Sequence, residues 1–143
     1  MEKEMKVFKP FIAKNRIKHY LGIYPYLNAK IRQRELSHIK YGPSFEEFLH
    51  NENTIENQVI AMNEDFELQE MKFYKDRLDR HLYILKITKE IKYYNYILWN
   101  YIKRLPKEET QKRLGATSIK DIDNEIIEYL YITMLKEAIN YGE

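Results

Sequence analysis

The chain has no cysteine and only four glycines and four prolines among its 143 residues. Without thiols there is no disulfide framework, no thiolate metal site and no cysteine nucleophile, in keeping with a reducing cytoplasm. So little Gly and Pro leaves scant material for long irregular stretches. No apolar run approaches the roughly 18 residues that a membrane span requires. The opening MEKEMKVFKPF has none of signal-peptide length either. These absences, with the length, lead us to expect a soluble cytoplasmic protein of one domain, or one domain with an arm, and no membrane partner.

The signatures of catalysis are missing too. There is no glycine-rich phosphate loop, no Gly-x-Ser-x-Gly and no His-Glu-x-x-His. His19, His38, His50 and His81 are scattered along the chain. Glu47-Phe-Leu-His50 has the spacing that sets two metal ligands on one helical face, but a carboxylate-bridged centre needs a second copy, which the chain lacks. Acidic neighbours such as Glu46-Glu47 and Glu64-Asp65 cannot face one substrate from a single helix, and a solvated face accounts for them. We expect no enzyme activity, no catalytic residue, no metal and no cofactor.

What the chain does have is a charge gradient. Lys6, Lys9, Lys14, Arg16, Lys18, Lys30, Arg32, Arg34 and Lys40 stand against a single acid, Glu35, in the stretch 6–40. From Ile119 onward, Lys120 and Lys136 face Asp121, Asp123, Glu125, Glu128, Glu137 and Glu143. Such polarity can hold an anion at one end and a different partner at the other, or the two ends can neutralise each other inside one bundle.

Helical spacing dominates and no strand-like alternation is long enough to demand a sheet, so the class is all-α: a helical bundle with a long central helix and a C-terminal tri-helical unit. We divide the chain into a basic N-terminal helical region (1–45), a long central helix (46–90) and a helix-turn-helix-like region (91–143). Pro25 is expected to open a helix over Tyr26–Ile39, and Gly42-Pro43-Ser44 marks a loop. Asn53-Thr-Ile-Glu56 resembles a capping box starting a helix that runs to about Thr88. Its seam of Ile55, Val59, Met62, Phe66 and Phe73 wants a partner helix, within the chain or in a homodimer, and a helix of that length is either kinked near Asp76–Asp79 or part of a coiled-coil-like pair. A further helix over Lys89–Leu105 turns Ile91, Tyr94, Leu98, Tyr101 and Ile102 inward. Its Tyr93-Tyr94-Asn95-Tyr96 cluster could stack on bases, though core and rim are the commoner use of such spacing.

The last third reads as two helices around a tight turn: Pro106–Leu114, a stop at Gly115, then a longer helix started by Ser118-Ile-Lys-Asp121. Lys107, Lys112 and Arg113 make the first helix a source of phosphate contacts. Thr117, Ser118, Lys120 and Asn124 are the side chains of the second that can meet double-stranded DNA without electrostatic cost. Arg16, Lys18, Lys30, Arg32 and Arg34 add a basic region able to reach phosphates or a minor groove. Asp121, Asp123, Glu125 and Glu128 oppose a DNA face unless they turn aside, and favour a rival reading in which the unit docks another protein.

The order Tyr24-Pro25-Tyr26-Leu27…Ile31, then a polar loop into a long helix (Asn53–Leu85), then a turn motif over Leu98–Leu135, resembles the late-transcription regulators of phages and prophages of Gram-positive bacteria, the ArpU/RinA-like group. That resemblance implies sequence-specific DNA binding and contact with RNA polymerase, with Thr117, Ser118, Lys120 and Asn124 at the reading helix and Lys112 and Arg113 on phosphates. The acidic second helix departs from the family pattern, which suggests that such a copy works through a protein partner.

Overall fold

Pro25 does not open a helix; it lies inside one. In the computed structural model, which describes residues 7–38, 59–88, 91–115 and 118–141, helix α1 runs from Lys14 to Ser37 through both Gly22 and Pro25. Proline removes one backbone donor and crowds the preceding turn, a cost of about 3 kcal/mol in a helix interior. Burial offsets that cost on both sides: Ile17, Tyr20 and Leu21 before the proline and Leu27 and Ile31 after it are all in the core. One carbonyl near the proline also gains an external donor, because Arg104 NH2 reaches Gly22 O at 2.5 Å. Arg104 does so from φ 51, a left-handed conformation uncommon for a residue with a Cβ, while its guanidinium lies 5.1 Å from the Tyr26 ring centre.

The long central helix is shorter than its seam implies. Residues 59–64 are helical, but Asp65 leaves the helix at φ −77, ψ 90 and caps a new one, α2, Phe66–Ile87. The phase shift therefore sits at Asp65, not at Asp76–Asp79. With it the buried stripe moves to Leu68, Met71, Tyr74, Leu78, Leu82 and Leu85, whereas Val59 and Phe66 are exposed. A fresh cap sets the phase of its own helix, so a seam running through the break has no single face. The Asn53–Glu56 capping box, Ile55, the Gly42–Ser44 loop and the Glu47/His50 pair lie outside the described residues.

Asp65 also binds across to α1. Its carboxylate accepts from Arg34 Nε at 2.6 Å and Arg34 NH2 at 3.1 Å, from the Leu68 amide at 3.2 Å, and lies 2.6 Å from His38 Nε2. Hydrogen bonding from Arg34, helped by His38 and Leu68 N and opposed by burial, holds this carboxyl well below the usual carboxylate range. A depressed acid contributes stability that is present above its unfolded pKa and lost as pH falls through that range. Replacing Asp65→Ala is expected to cost about 1–2 kcal/mol at neutral pH from the lost cap alone. It should also flatten the fall in stability between about pH 5 and lower pH. Urea unfolding of both proteins at several pH values checks this.

Helix α3, Ile91–Ile97, passes into a π-helical turn, Leu98–Ile102. Of the residues expected to face inward, Tyr94, Tyr101 and Ile102 are half-buried against the core, whereas Ile91 is 56% exposed and Tyr96 and Ile97 take the buried positions. Helices α4, Lys107–Leu114, and α5, Ile119–Tyr141, complete the chain. Gly115 ends α4 at φ 63, where a side chain would meet backbone strain but no neighbour within 4 Å.

One core joins these parts: Ile17, Leu21 and Leu27 of α1, Tyr74 and Leu85 of α2, Tyr96 of α3 and Ile126, Leu130 and Met134 of α5 belong to a single buried cluster. The described residues are helices and connectors without a strand, and no helix among them is long and apolar enough to cross a membrane. Between α2 and α5, Glu137 gathers Arg77 at 3.2 Å, Arg80 at 3.5 Å and His81 at 3.1 Å. His81 is 1% exposed; burial, against the pull of Glu137, lowers its pKa and favours the neutral ring.

Helix α4 is lightly attached. Only Thr110 is buried in it, at 0% exposure, and its hydroxyl finds no partner among the described residues. A buried, unpaired hydroxyl costs about 1–3 kcal/mol, whereas a methyl of the same shape does not. Thr110→Val is therefore expected to raise stability by about 1 kcal/mol, a gain of a few degrees in thermal midpoint.

Candidate nucleic-acid interface

Two helices flank the expected turn, of which Gly115 and Ser118 are among the described residues. α3 with its π-turn, α4 and α5 touch pairwise, and Ser118 Oγ accepts from the Asp121 amide at 3.3 Å, capping α5. Apolar Ile122, Ile126, Ile127 and Leu130 point inward, while Ile119 is half-buried.

The acids of α5 fall into two groups. Asp123 is buried; it accepts from the hydroxyl of Tyr96 at 2.8 Å and from that of Tyr101, and it lies 3.6 Å from Lys18 Nζ. Burial first, and then the bond to Asp123, pushes both tyrosines well above the ordinary phenol pKa, so they remain neutral donors. Asp121, Glu125 and Glu128 are exposed and share the outward arc of α5. Glu125 accepts from Tyr93 OH at 3.2 Å, and Glu128 pairs with Lys14. Ile127, which helical spacing groups with Lys120 and Asn124, is in the core instead. The tyrosine cluster is occupied in the same way: Tyr96 is buried and Tyr93 and Tyr94 are half-buried against the core, so they form core and rim.

The basic candidates divide likewise. Arg16 binds Glu70 at 2.5 Å, and Arg34 is spent on Asp65 and Glu67. Arg113 pairs with Glu109 at 3.0 Å and lies over the Trp99 ring. Lys14 likewise pairs with Glu128 at the surface, so Lys14, Arg16 and Arg34 of the N-terminal region meet acids of the fold, whereas Lys18 only approaches Asp123 at 3.6 Å. Lys30 and Arg32 are exposed and form no ion pair among the described residues; Lys112 is exposed on α4. Ser118 serves as the cap, and Thr117 lies outside the described residues.

Three candidates from distant parts of the chain meet. Lys18 of α1, Lys107 of α4 and Lys120 of α5 line one cleft of about 540 Å³, with Tyr96, Asn100, Tyr101, Ile119 and Asp123 as its other walls. Asn124 sits in the adjoining recess of about 290 Å³ with Lys14, Asn15, Lys18 and Glu128. Lys18 and Asp123 border both. Asn100 donates to Tyr96 OH at 3.1 Å, and the π-turn that carries it brings Tyr101 to the same carboxylate. Sequence reasoning missed Asn100, Tyr101 and Asp123 as site walls, because a π-turn has no reliable sequence signature and Asp123 reads as one more surface acid. No group of three or more His, Asp or Glu side chains able to hold a metal ion occurs among the described residues.

Comparison with known proteins gives no relative: no family model matches the chain, and neither a curated protein nor a solved structure matches it.

Proposed function

We propose that this protein is a non-catalytic, DNA-binding transcription regulator of the phage type that its sequence resembles, gripping duplex DNA mainly by its phosphates. The observation that carries the reading is the convergence of Lys18, Lys107 and Lys120 on one cleft beside the first turn of α5. Ammonium groups from three helices around one turn motif suit phosphate contacts, and such contacts position a protein on DNA without reading sequence. Base contact falls to Lys120 and Asn124, both exposed on the flank of α5. The acidic arc of Asp121, Glu125 and Glu128 limits how deeply that helix enters a groove. Selection from a pool of random duplexes followed by sequencing tests the reading. A motif that is enriched with the wild type and lost with Lys120→Ala plus Asn124→Ala supports sequence-specific regulation. Binding without enrichment supports a packaging or architectural role.

A second reading, a protein-docking module, draws on the same arc. Ile132 at 42% and Ile139 at 80% exposure continue the outward face of α5 beyond the acids. Failure to retain any duplex at low salt would leave this reading in place.

A further inference from the structure

The Lys18–Lys107–Lys120 cleft is a recess with walls, not a flat basic patch. Its volume of about 540 Å³ falls among ordinary ligand pockets and is far larger than one phosphate needs. Three ammonium groups face one carboxylate there, so the cleft has two positive charges in excess. The carboxylate is committed: one oxygen of Asp123 takes both Tyr96 and Tyr101 hydroxyls, and the other faces Lys18 at 3.6 Å. At that distance, and with its side chain 66% exposed, Lys18 is held only loosely and can turn to an anion. The first turn of α5, represented by Ile119 and Lys120 in the wall, adds the positive end of a 23-residue helix. Half-buried Tyr101 and Ile119 add aromatic and apolar surface to the lining, behind which Tyr96 is buried.

We propose that this cleft is a discrete site for a terminal phosphoryl dianion, as free phosphate or as a phosphate monoester on a small molecule. An excess of two positive charges matches a dianion better than the single charge of a phosphodiester. This inference uses the same lysines as the proposed function but does not depend on duplex binding. A phosphorylated ligand held there would compete with the DNA backbone for them.

The test is an amide NMR titration of the full chain at constant ionic strength with inorganic phosphate, adenosine monophosphate and a dinucleoside phosphodiester, chloride serving as the reference anion. Saturable shifts centred on Ile119, Lys120 and Asn100 with the first two ligands, weakened at least tenfold in Lys107→Gln plus Lys120→Gln, are expected. Both lysines are exposed, so the variant keeps its fold, which its spectrum verifies directly. Tighter binding of adenosine monophosphate than of inorganic phosphate assigns the aromatic wall to the rest of a monoester; equal binding assigns the site to the phosphoryl group alone. Binding of the diester as tight as that of the monoester overturns the proposal, as do shifts spread over all exposed lysines without saturation. Because the titration is read on the protein without DNA, loss of phosphate binding and loss of duplex binding are separate results.

Discussion

Replacing Lys18, Lys107 and Lys120 together by alanine is expected to weaken duplex binding by about a thousandfold near 0.1 M salt and to lower the salt slope by about three. The reasoning is additive. Each ammonium that displaces a condensed counterion contributes about 0.9 to the slope, worth about tenfold in affinity at that salt. The three side chains come from α1, α4 and α5 and line the same cleft, so they would meet one stretch of backbone. The substitutions should hardly disturb the fold. All three residues are exposed, and the single ion pair lost, Lys18–Asp123, spans 3.6 Å at the surface, where such pairs contribute little. Arg16→Ala and Arg34→Ala are the contrast. Their guanidiniums are bound to Glu70 and Asp65, so they should change stability more than DNA affinity. Fluorescence anisotropy against a salt series, beside thermal melts, separates the two effects.

Tyr74→Ala is expected to be the most destabilising single substitution, by about 3–5 kcal/mol. Tyr74 is 0% exposed, stacks on Tyr20 with ring centres 4.6 Å apart, and donates from its hydroxyl to Phe11 O at 2.6 Å. It therefore ties three segments together: α2, α1 and the chain ahead of α1. Burial pushes its phenol pKa up to about 12, so the hydroxyl stays a donor over the whole working range. Tyr74→Phe removes only that bond and leaves the Phe11 carbonyl short of a donor, a loss of about 1 kcal/mol. A domain of this size commonly has only about 5–15 kcal/mol in total, so the alanine variant approaches unfolding while the phenylalanine variant does not. The midpoints of urea unfolding for the two variants give the ratio directly.

Local features were legible in the sequence and distant ones were not. Gly115 and Ser118 announce the end of α4 and the start of α5, because a left-handed stop and a hydroxyl cap are decided within a few residues. The inward face of α5 follows from the spacing of its isoleucines. Pro25 misleads, since its meaning depends on Leu21 and Leu27 being buried and on Arg104 arriving from far along the chain. The Ile55–Phe73 seam misleads for a related reason: Asp65, anchored by Arg34, breaks the helix where apolar spacing alone runs on. Of the candidate site, the lysines were legible as a charge pattern. Their meeting in one cleft, and the diversion of Arg16 and Arg34 to ion pairs, are tertiary facts. So is the partition of the α5 acids into buried Asp123, held by two tyrosines, and the exposed arc of Asp121, Glu125 and Glu128.

The most direct measurement is the affinity of the unmodified chain for a mixed-sequence duplex, followed by anisotropy between about 50 and 200 mM salt. The account predicts binding at the lower salt that weakens steeply and log-linearly as salt rises, with a slope of at least about three. No binding at the lower salt, or binding indifferent to salt, would contradict it and would make the acidic face of α5 the working surface of the molecule.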